Sequence, residues 1–239
     1  MSVEACAPPS WSSTNAWLMM APHVAEELSS QEWLADGPRM LEEAAQAADN
    51  RVLGHGRGAA RAVSLGDSAM AGVWRTNRHG GLFGKIGERR YRSPRRLQRE
   101  VCLVSTLRRA DLPTPEILLA YAHRQGLWWE QHLVTAEVTG ACTLFAAADE
   151  DAALEAARRL LARLFAVGLW ATDLHPDNLL WQPESGTCWL IDLAGARLLG
   201  RPLRRSERSA RVERFLRYFD KHAGRRPQGA ERFLELIEG

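Results

Sequence analysis

The spacing of apolar positions changes character along this chain. From 52 to 76 they come in short blocks and alternations bounded by turn residues. Val52–Leu53 precede Gly54-His55-Gly56-Arg57-Gly58, and strands are predicted over 59–65 and 69–76, joined by a tight Gly66–Asp67 turn. Over 94–109 the period lengthens to that of a helix, with Leu97, Val101, Val104 and Leu107 in one stripe. Leu112-Pro113-Thr114-Pro115 ends it, and two further strands are predicted over 116–122 and 127–135 around a Gln125–Gly126 turn. The clearest helix is 149–167. Leu154, Leu160, Leu161, Leu164 and Phe165 supply its buried face, and Gly168 stops it. Asp149, Glu150 and Asp151 crowd its start while Arg158, Arg159 and Arg163 follow, the order that suits a helix dipole. After a loop at 171–178, short strands at 179–181 and 189–191 flank a turn, and helices are predicted over 206–222 and 229–237. Ahead of all this, 1–22 reads as a loose lead-in with Pro8, Pro9, Pro22 and a Ser/Thr cluster. Residues 24–49 read as helix with a break near Asp36-Gly37-Pro38.

Strands dominate the first half and helices the second, which predicts an α+β protein with two lobes. The expected divisions are an acidic, partly helical extension at 1–49, a first lobe at 50–137 and a second at 138–239. A chain of 239 residues, 46% hydrophobic, has enough apolar mass for a substantial core. No apolar run reaches the length of a membrane-spanning helix, and Trp17–Ala21 is too short for a signal-peptide core, so a cytoplasmic location is expected. Cys6, Cys102, Cys142 and Cys188 are scattered, which predicts reduced thiols with neither disulfide nor zinc.

Charge adds one feature. Residues 85–109 carry nine bases against two acids, and 201–226 carry ten against three. Such segments point to an anionic partner, although a solvated charged surface fits equally. The bases are not interleaved with stacking aromatics, which argues against nucleic acid.

The candidate chemistry lies in Asp173-Leu174-His175-Pro176-Asp177-Asn178, followed by Leu190-Ile191-Asp192. Phosphoryl transfer from a nucleotide needs hard oxygen ligands for Mg²⁺ and a carboxylate to receive the proton of the attacking hydroxyl. An Asp, an Asn five residues on and an Asp at the end of a returning hairpin supply that set. This is the catalytic-loop and metal-Asp arrangement of the protein-kinase fold.

From about Gly54 onward the chain resembles the lipopolysaccharide kinase family, and within it the 3-deoxy-D-manno-octulosonic acid (Kdo) kinases. Besides the loop motifs, the resemblance rests on Gly56-Arg57-Gly58, on Trp74-Arg75-x-x-Arg78-x-Gly80-Gly81-Leu82, on Leu112-Pro113-x-Pro115 and on Val138-Thr139-Gly140-Ala141. It implies a protein-kinase-like two-lobed fold, a small antiparallel β N-lobe and a mostly helical C-lobe. It also implies roles. Asp173 is the catalytic base, Asn178 and Asp192 hold Mg²⁺, and Gly54, Gly56 and Gly58 cap the ATP phosphates. Glu100 pairs with a cation on the third strand, where Arg75 stands in place of the usual lysine. His175 occupies the place of a phosphate-contacting lysine. Ala171 replaces the usual loop-bracing His, and Asp192-Leu193-Ala194 replaces Asp-Phe-Gly. The implied acceptor is a lipid-linked sugar of a lipid A precursor, handled by a peripheral enzyme on the anionic inner face of the inner membrane. Four alternatives stay open at this point. An ordinary turn also fits Gly54–Gly58, an exposed position also fits Glu100, and a different acceptor or an inactive binding module also fits the whole. His123 and His132 read as strand residues without a role.

Overall fold

The computed structural model describes residues 9–53, 60–77 and 91–238. They form two compact units. The first holds the described residues up to Ser105 together with Glu116–Glu137, and the second holds Thr106–Pro115 and the described residues from Val138 onward.

In the first unit the elements are β1 (Ser10–Ser12), β2 (Ala16–Met20), α1 (Pro22–Glu27), α2 (Ser30–Ala47), β3 (Val52–Leu53), β4 (Ala60–Leu65), β5 (Met70–Thr76), α3 (Arg95–Arg109, whose last turn counts with the second unit), β6 (Ile117–Gln125) and β7 (Trp128–Ala136). Among the described residues the sheet order is β1-β2-β6-β7-β5-β4-β3, antiparallel throughout. The loose lead-in expected over 1–22 is therefore corrected. β2 pairs with β6 from Ala16↔His123 to Met20↔Leu119, and Leu18 and Met20 are fully buried.

What buries them is α2. Trp33, Leu41 and Ala45 pack with Leu18, Met20, Val63, Leu65, Tyr121 and Val134 in one core. Ser29 caps the helix by accepting from the Glu32 amide, which satisfies one of its unpaired N–H groups. The predicted break is a kink at Asp36 (φ −150°, ψ 54°), across which the helix resumes through Pro38. Gly37 has a packing reason. A Cβ there would lie 2.4 Å from the Tyr121 ring, so only glycine lets the tyrosine seat against the helix. Burial pushes the Tyr121 hydroxyl up to about 12.

Near this face His123 and His132 stack almost in parallel, 5.5 Å apart, and Glu130 joins them. Trp74 Nε1 donates to His132 Nδ1 at 3.3 Å, and Gln125 Nε2 lies 3.0 Å from His123 Nε2. Burial holds His123 below the ordinary histidine value of 6.5, and Glu130 offsets only part of this. The unfolded chain therefore takes the proton first. Stability should be intact above about pH 6.5 and decline as the pH falls toward the lower folded-state value. Melting temperatures between pH 7.5 and 5.5 check this, and His123→Gln should flatten part of the decline.

The second unit contains β8 (Cys142–Thr143), α4 (Asp151–Ala166), β9 (Leu169–Trp170), β10 (Leu179–Gln182), β11 (Thr187–Leu190), β12 (Arg197–Leu198), α5 (Arg205–His222) and α6 (Glu235–Glu238). β8, β10 and β11 form one small sheet, and β9 pairs with β12. The helix expected over 229–237 is instead a 3₁₀ stretch, Ala230–Leu234, followed by the single turn of α6. Its Phe233 is fully buried against Phe215 of α5, with ring centres 5.0 Å apart. Gly168 ends α4 at φ +80°, and a Cβ there would meet the Arg201 carbonyl oxygen at 1.9 Å. No helix among the described residues is long and apolar enough to cross a membrane.

Candidate active site

The loop at 171–178 leaves β9 and enters β10 through a 3₁₀ turn, Pro176–Asn178. Proline opens that turn where no amide donor is needed. The Asn178 amide donates to the His175 carbonyl at 2.9 Å, and its side-chain Nδ2 donates to the Asp173 carbonyl at 2.7 Å. A carbonyl can only accept, so the NH₂ group must face it and Asn178 Oδ1 is turned the other way. Asn178 is almost fully buried, so this orientation is held firmly.

The β10–β11 hairpin brings Asp192 back to the same place. Its register runs Leu179↔Leu190 to Gln182↔Thr187, and Ile191 N donates to Asn178 O at 2.9 Å. Asp192 follows directly, at φ +53°, and its Oδ1 accepts from the Ala194 amide at 3.3 Å. Trp181 of the hairpin donates through Nε1 to Glu150 at 2.9 Å, tying the hairpin to the start of α4. Asp173, Asn178 and Asp192 thus lie at neighbouring points of one hairpin base.

Asp173 projects outward, with its side chain 58% exposed. Its Oδ1 accepts from Arg214 Nη2 at 2.7 Å, and its Oδ2 is 3.9 Å from His175 Nε2. Burial lowers the His175 pKa, outweighing the carboxylates of Asp173 and Asp177. The His175 ring stacks on Tyr218 of α5, with centres 4.6 Å apart and planes 8° apart.

Helix α5 contributes more than the sequence suggested. Arg211, Arg214, Tyr218 and His222 lie on one helix face at spacings of three, four and four. Arg211 Nη1 donates to the Ala171 carbonyl at 3.0 Å, and Tyr218 Oη donates to Asp177 Oδ2 at 2.5 Å. Burial pushes the Tyr218 hydroxyl up to about 12, and its bond to Asp177 acts in the same direction. The helix start is fixed by Glu207, whose carboxylate takes both Arg201 and the Arg204 amide and is held down at about 2 by them. The face periodicity was the only sequence signal for these residues.

In the first unit Arg75 of β5 donates through Nη2 to Glu100 of α3 and through Nη1 to Asn77 Oδ1 at 2.7 Å. Glu100 is 4% exposed, so the exposed-surface alternative is corrected. Gly54, Gly56 and Gly58, and the segment from Arg78 to Leu82, lie outside the described residues.

The donors fit a hard divalent cation. An amide oxygen from Asn178 and a carboxylate from Asp192 are ligands Mg²⁺ accepts, alongside phosphate oxygens and water. Neither thiol nor imidazole intrudes at those two positions.

The chain is similar to several known proteins. The model of the lipopolysaccharide kinase (Kdo/WaaP) family matches residues 43–236. The 3-deoxy-D-manno-octulosonic acid kinase of Vibrio vulnificus (strain CMCP6) is 31% identical over 155 residues, which are 61% of this chain and 64% of that protein. The protein of the same name from Stenotrophomonas maltophilia (strain K279a) is 33% identical over 129 residues, 51% of each. The chain thus spans less than two thirds of the length of these relatives. Among solved structures, the Rio2 kinase–ADP/Mg²⁺–phosphoaspartate complex from Chaetomium thermophilum is 16% identical with a TM-score of 0.49, over 90% of this chain and 77% of that one.

Proposed function

Because the chain belongs to the lipopolysaccharide kinase (Kdo/WaaP) family, we propose that it transfers the γ-phosphoryl group of ATP to a hydroxyl of Kdo, or of a neighbouring core sugar, on a lipid A precursor. The observation that carries this reading is the hairpin base, where Asp173, Asn178 and Asp192 come together with hydrogen bonds that fix two of the three.

On this reading the Asp173 carboxylate receives the proton of the acceptor hydroxyl as its oxygen attacks the γ-phosphorus. ADP departs with the electrons of the broken P–O bond. Asn178 and Asp192 hold Mg²⁺, which supplies charge neutralisation for the polyphosphate. On this reading the two compact units serve as the lobes of a kinase-like fold, and the acidic N-terminal segment is built into the sheet and core of the first. Gly54, Gly56 and Gly58 cover the phosphates with backbone amides.

Arg75 takes the phosphate-contacting role of the missing strand lysine, oriented by Glu100. Its fork lets one guanidinium serve the carboxylate and an anion at once. Arg75→Ala should raise the KM for ATP about tenfold and lower stability by on the order of 2 kcal/mol, because Glu100 loses a partner while buried. Kinetics and chemical denaturation read the two effects separately, and unchanged ATP kinetics would reject the role.

The basic segments suit an anionic bilayer. Each Lys or Arg near such a surface contributes on the order of 1 kcal/mol. The enzyme should therefore sediment with anionic vesicles at low salt and stay in solution with neutral ones.

The deciding experiment offers purified protein, ATP and Mg²⁺ to a Kdo-bearing lipid A precursor, a heptose-bearing core and simple alcohols, and reads the addition of one phosphate by mass. Phosphate on Kdo supports the proposal. Transfer only to another acceptor makes it a kinase of different specificity, and no metal-dependent transfer at all points to a binding module.

A further inference from the structure

The loop that carries Asp173 begins with an alanine, a side chain that can brace nothing. Ala171 and Thr172 open the loop, and among the described residues neither side chain makes a hydrogen bond. Something else must hold their backbone, because a base that wanders by an ångström loses much of its effect.

Arg211 meets the loop at this point from α5. Its Nη1 donates to the Ala171 carbonyl at 3.0 Å and reaches the Thr172 carbonyl at 3.4 Å. Its guanidinium lies over the Trp170 ring, with Cζ 4.3 Å from the ring centre, so the residue before the loop is gripped as well. Three consecutive residues, 170 to 172, are thereby fixed by one planar group placed forty residues later in the chain. An arginine suits this task, because its flat face stacks while its edge donates.

The site is also built to keep the arginine there. Burial lowers the Arg211 pKa, with Arg214 acting in the same direction. A partly desolvated guanidinium needs acceptors, and among the described residues the two loop carbonyls supply them. Arg211 Nε is buried with no hydrogen-bond partner among the described residues, so the grip rests on the Nη edge and the stacked face. At the far end of the loop Tyr218 performs a parallel task through Asp177 and the His175 ring. One helix face thus meets both ends of the loop.

We infer that Arg211 is the positioning residue of the loop bearing Asp173, holding from α5 a backbone that position 171 cannot hold with its own side chain. The catalytic half of this inference rests on the reading of Asp173 as the base. The structural half does not.

The test compares wild type, Arg211→Ala and Arg211→Lys. Backbone amide exchange over 171–178 should quicken about tenfold or more in Arg211→Ala, with the rest of the second unit unchanged. Transfer to the Kdo-bearing lipid should lose on the order of 10 to 100-fold in kcat, with the KM for ATP within about twofold. Arg211→Lys keeps the charge but not the flat fork, and should recover only a minor part of both effects. Should Arg211→Ala fail to fold, Arg211→Lys is read in its place.

Unchanged exchange in a folded variant overturns the inference. So does a loop that loosens without loss of kcat, or a loss of kcat with the loop still protected. A wild-type protein inert toward every acceptor overturns the catalytic half along with the proposed function, while the exchange comparison still decides whether Arg211 orders the loop.

Discussion

Asp173→Asn is expected to lower kcat for phosphoryl transfer by about a thousandfold, or ~4 kcal/mol in the barrier, while leaving the fold and ATP binding nearly untouched. Asparagine is isosteric. Its Oδ1 can still accept from Arg214, and the backbone carbonyl that orders Asn178 is unaltered. What disappears is the capacity to take a proton. The ion pair to Arg214 joins two side chains that are each about half exposed, 48% and 58%, so its loss should be worth less than about 1 kcal/mol. Steady-state kinetics with a saturating lipid acceptor, set beside a melting curve, separates the two quantities. A variant that retains more than about a tenth of wild-type kcat would remove Asp173 from the role of base.

The second large effect concerns Asp192. Asp192→Asn should lower turnover by on the order of a hundredfold or more, and should shift the Mg²⁺ activation curve to higher concentration. The choice of asparagine follows from the backbone. Asp192 sits at φ +53°, where most side chains are strained and asparagine is among the few tolerated. The Oδ1 that accepts from Ala194 N is also retained. An alanine variant would confound loss of a ligand with loss of the turn, at a strain of about 1 kcal/mol. Titration of activity against Mg²⁺ at fixed ATP gives the answer, and an unshifted curve would show that the carboxylate is not a ligand.

Much of the second unit was legible because its signals are local. The helix Asp151–Ala166 announces itself by acids at its start, bases toward its end and a glycine beyond. The hairpin Leu179–Leu190 is two apolar runs around Pro183–Gly186, and its return of Asp192 toward Asn178 follows from geometry alone. The site residues on α5 were not legible in this way. Arg211 and Tyr218 sit in a run of arginines and alternating polar residues whose charge reads as solvent-facing. Only the contact of that face with a loop forty residues earlier distinguishes them. In the first unit the later strands and helices were equally legible, and it was the N-terminal strand pairing that the sequence hid, for a related reason. Pro8, Pro9 and the Ser/Thr cluster are turn-formers, so the chain around Ala16–Met20 reads as irregular. What makes it a strand is an edge supplied by Ile117–Gln125, and no local window contains that edge. Glu100 could be placed on its helix from periodicity, while its pairing with Arg75 of β5 was legible only through the family resemblance.

That distant partnership has a consequence for how the chain is made. Ala16-Trp17-Leu18-Met19-Met20 leaves the ribosome about a hundred residues before Leu119 to His123 emerge to receive it. At bacterial or eukaryotic synthesis rates of ~5–20 residues per second, the segment waits roughly 5 to 20 s with its backbone donors and apolar side chains uncovered. Such an interval invites capture by chaperones or by a neighbouring nascent chain, and slow translation between 20 and 117 would lengthen it.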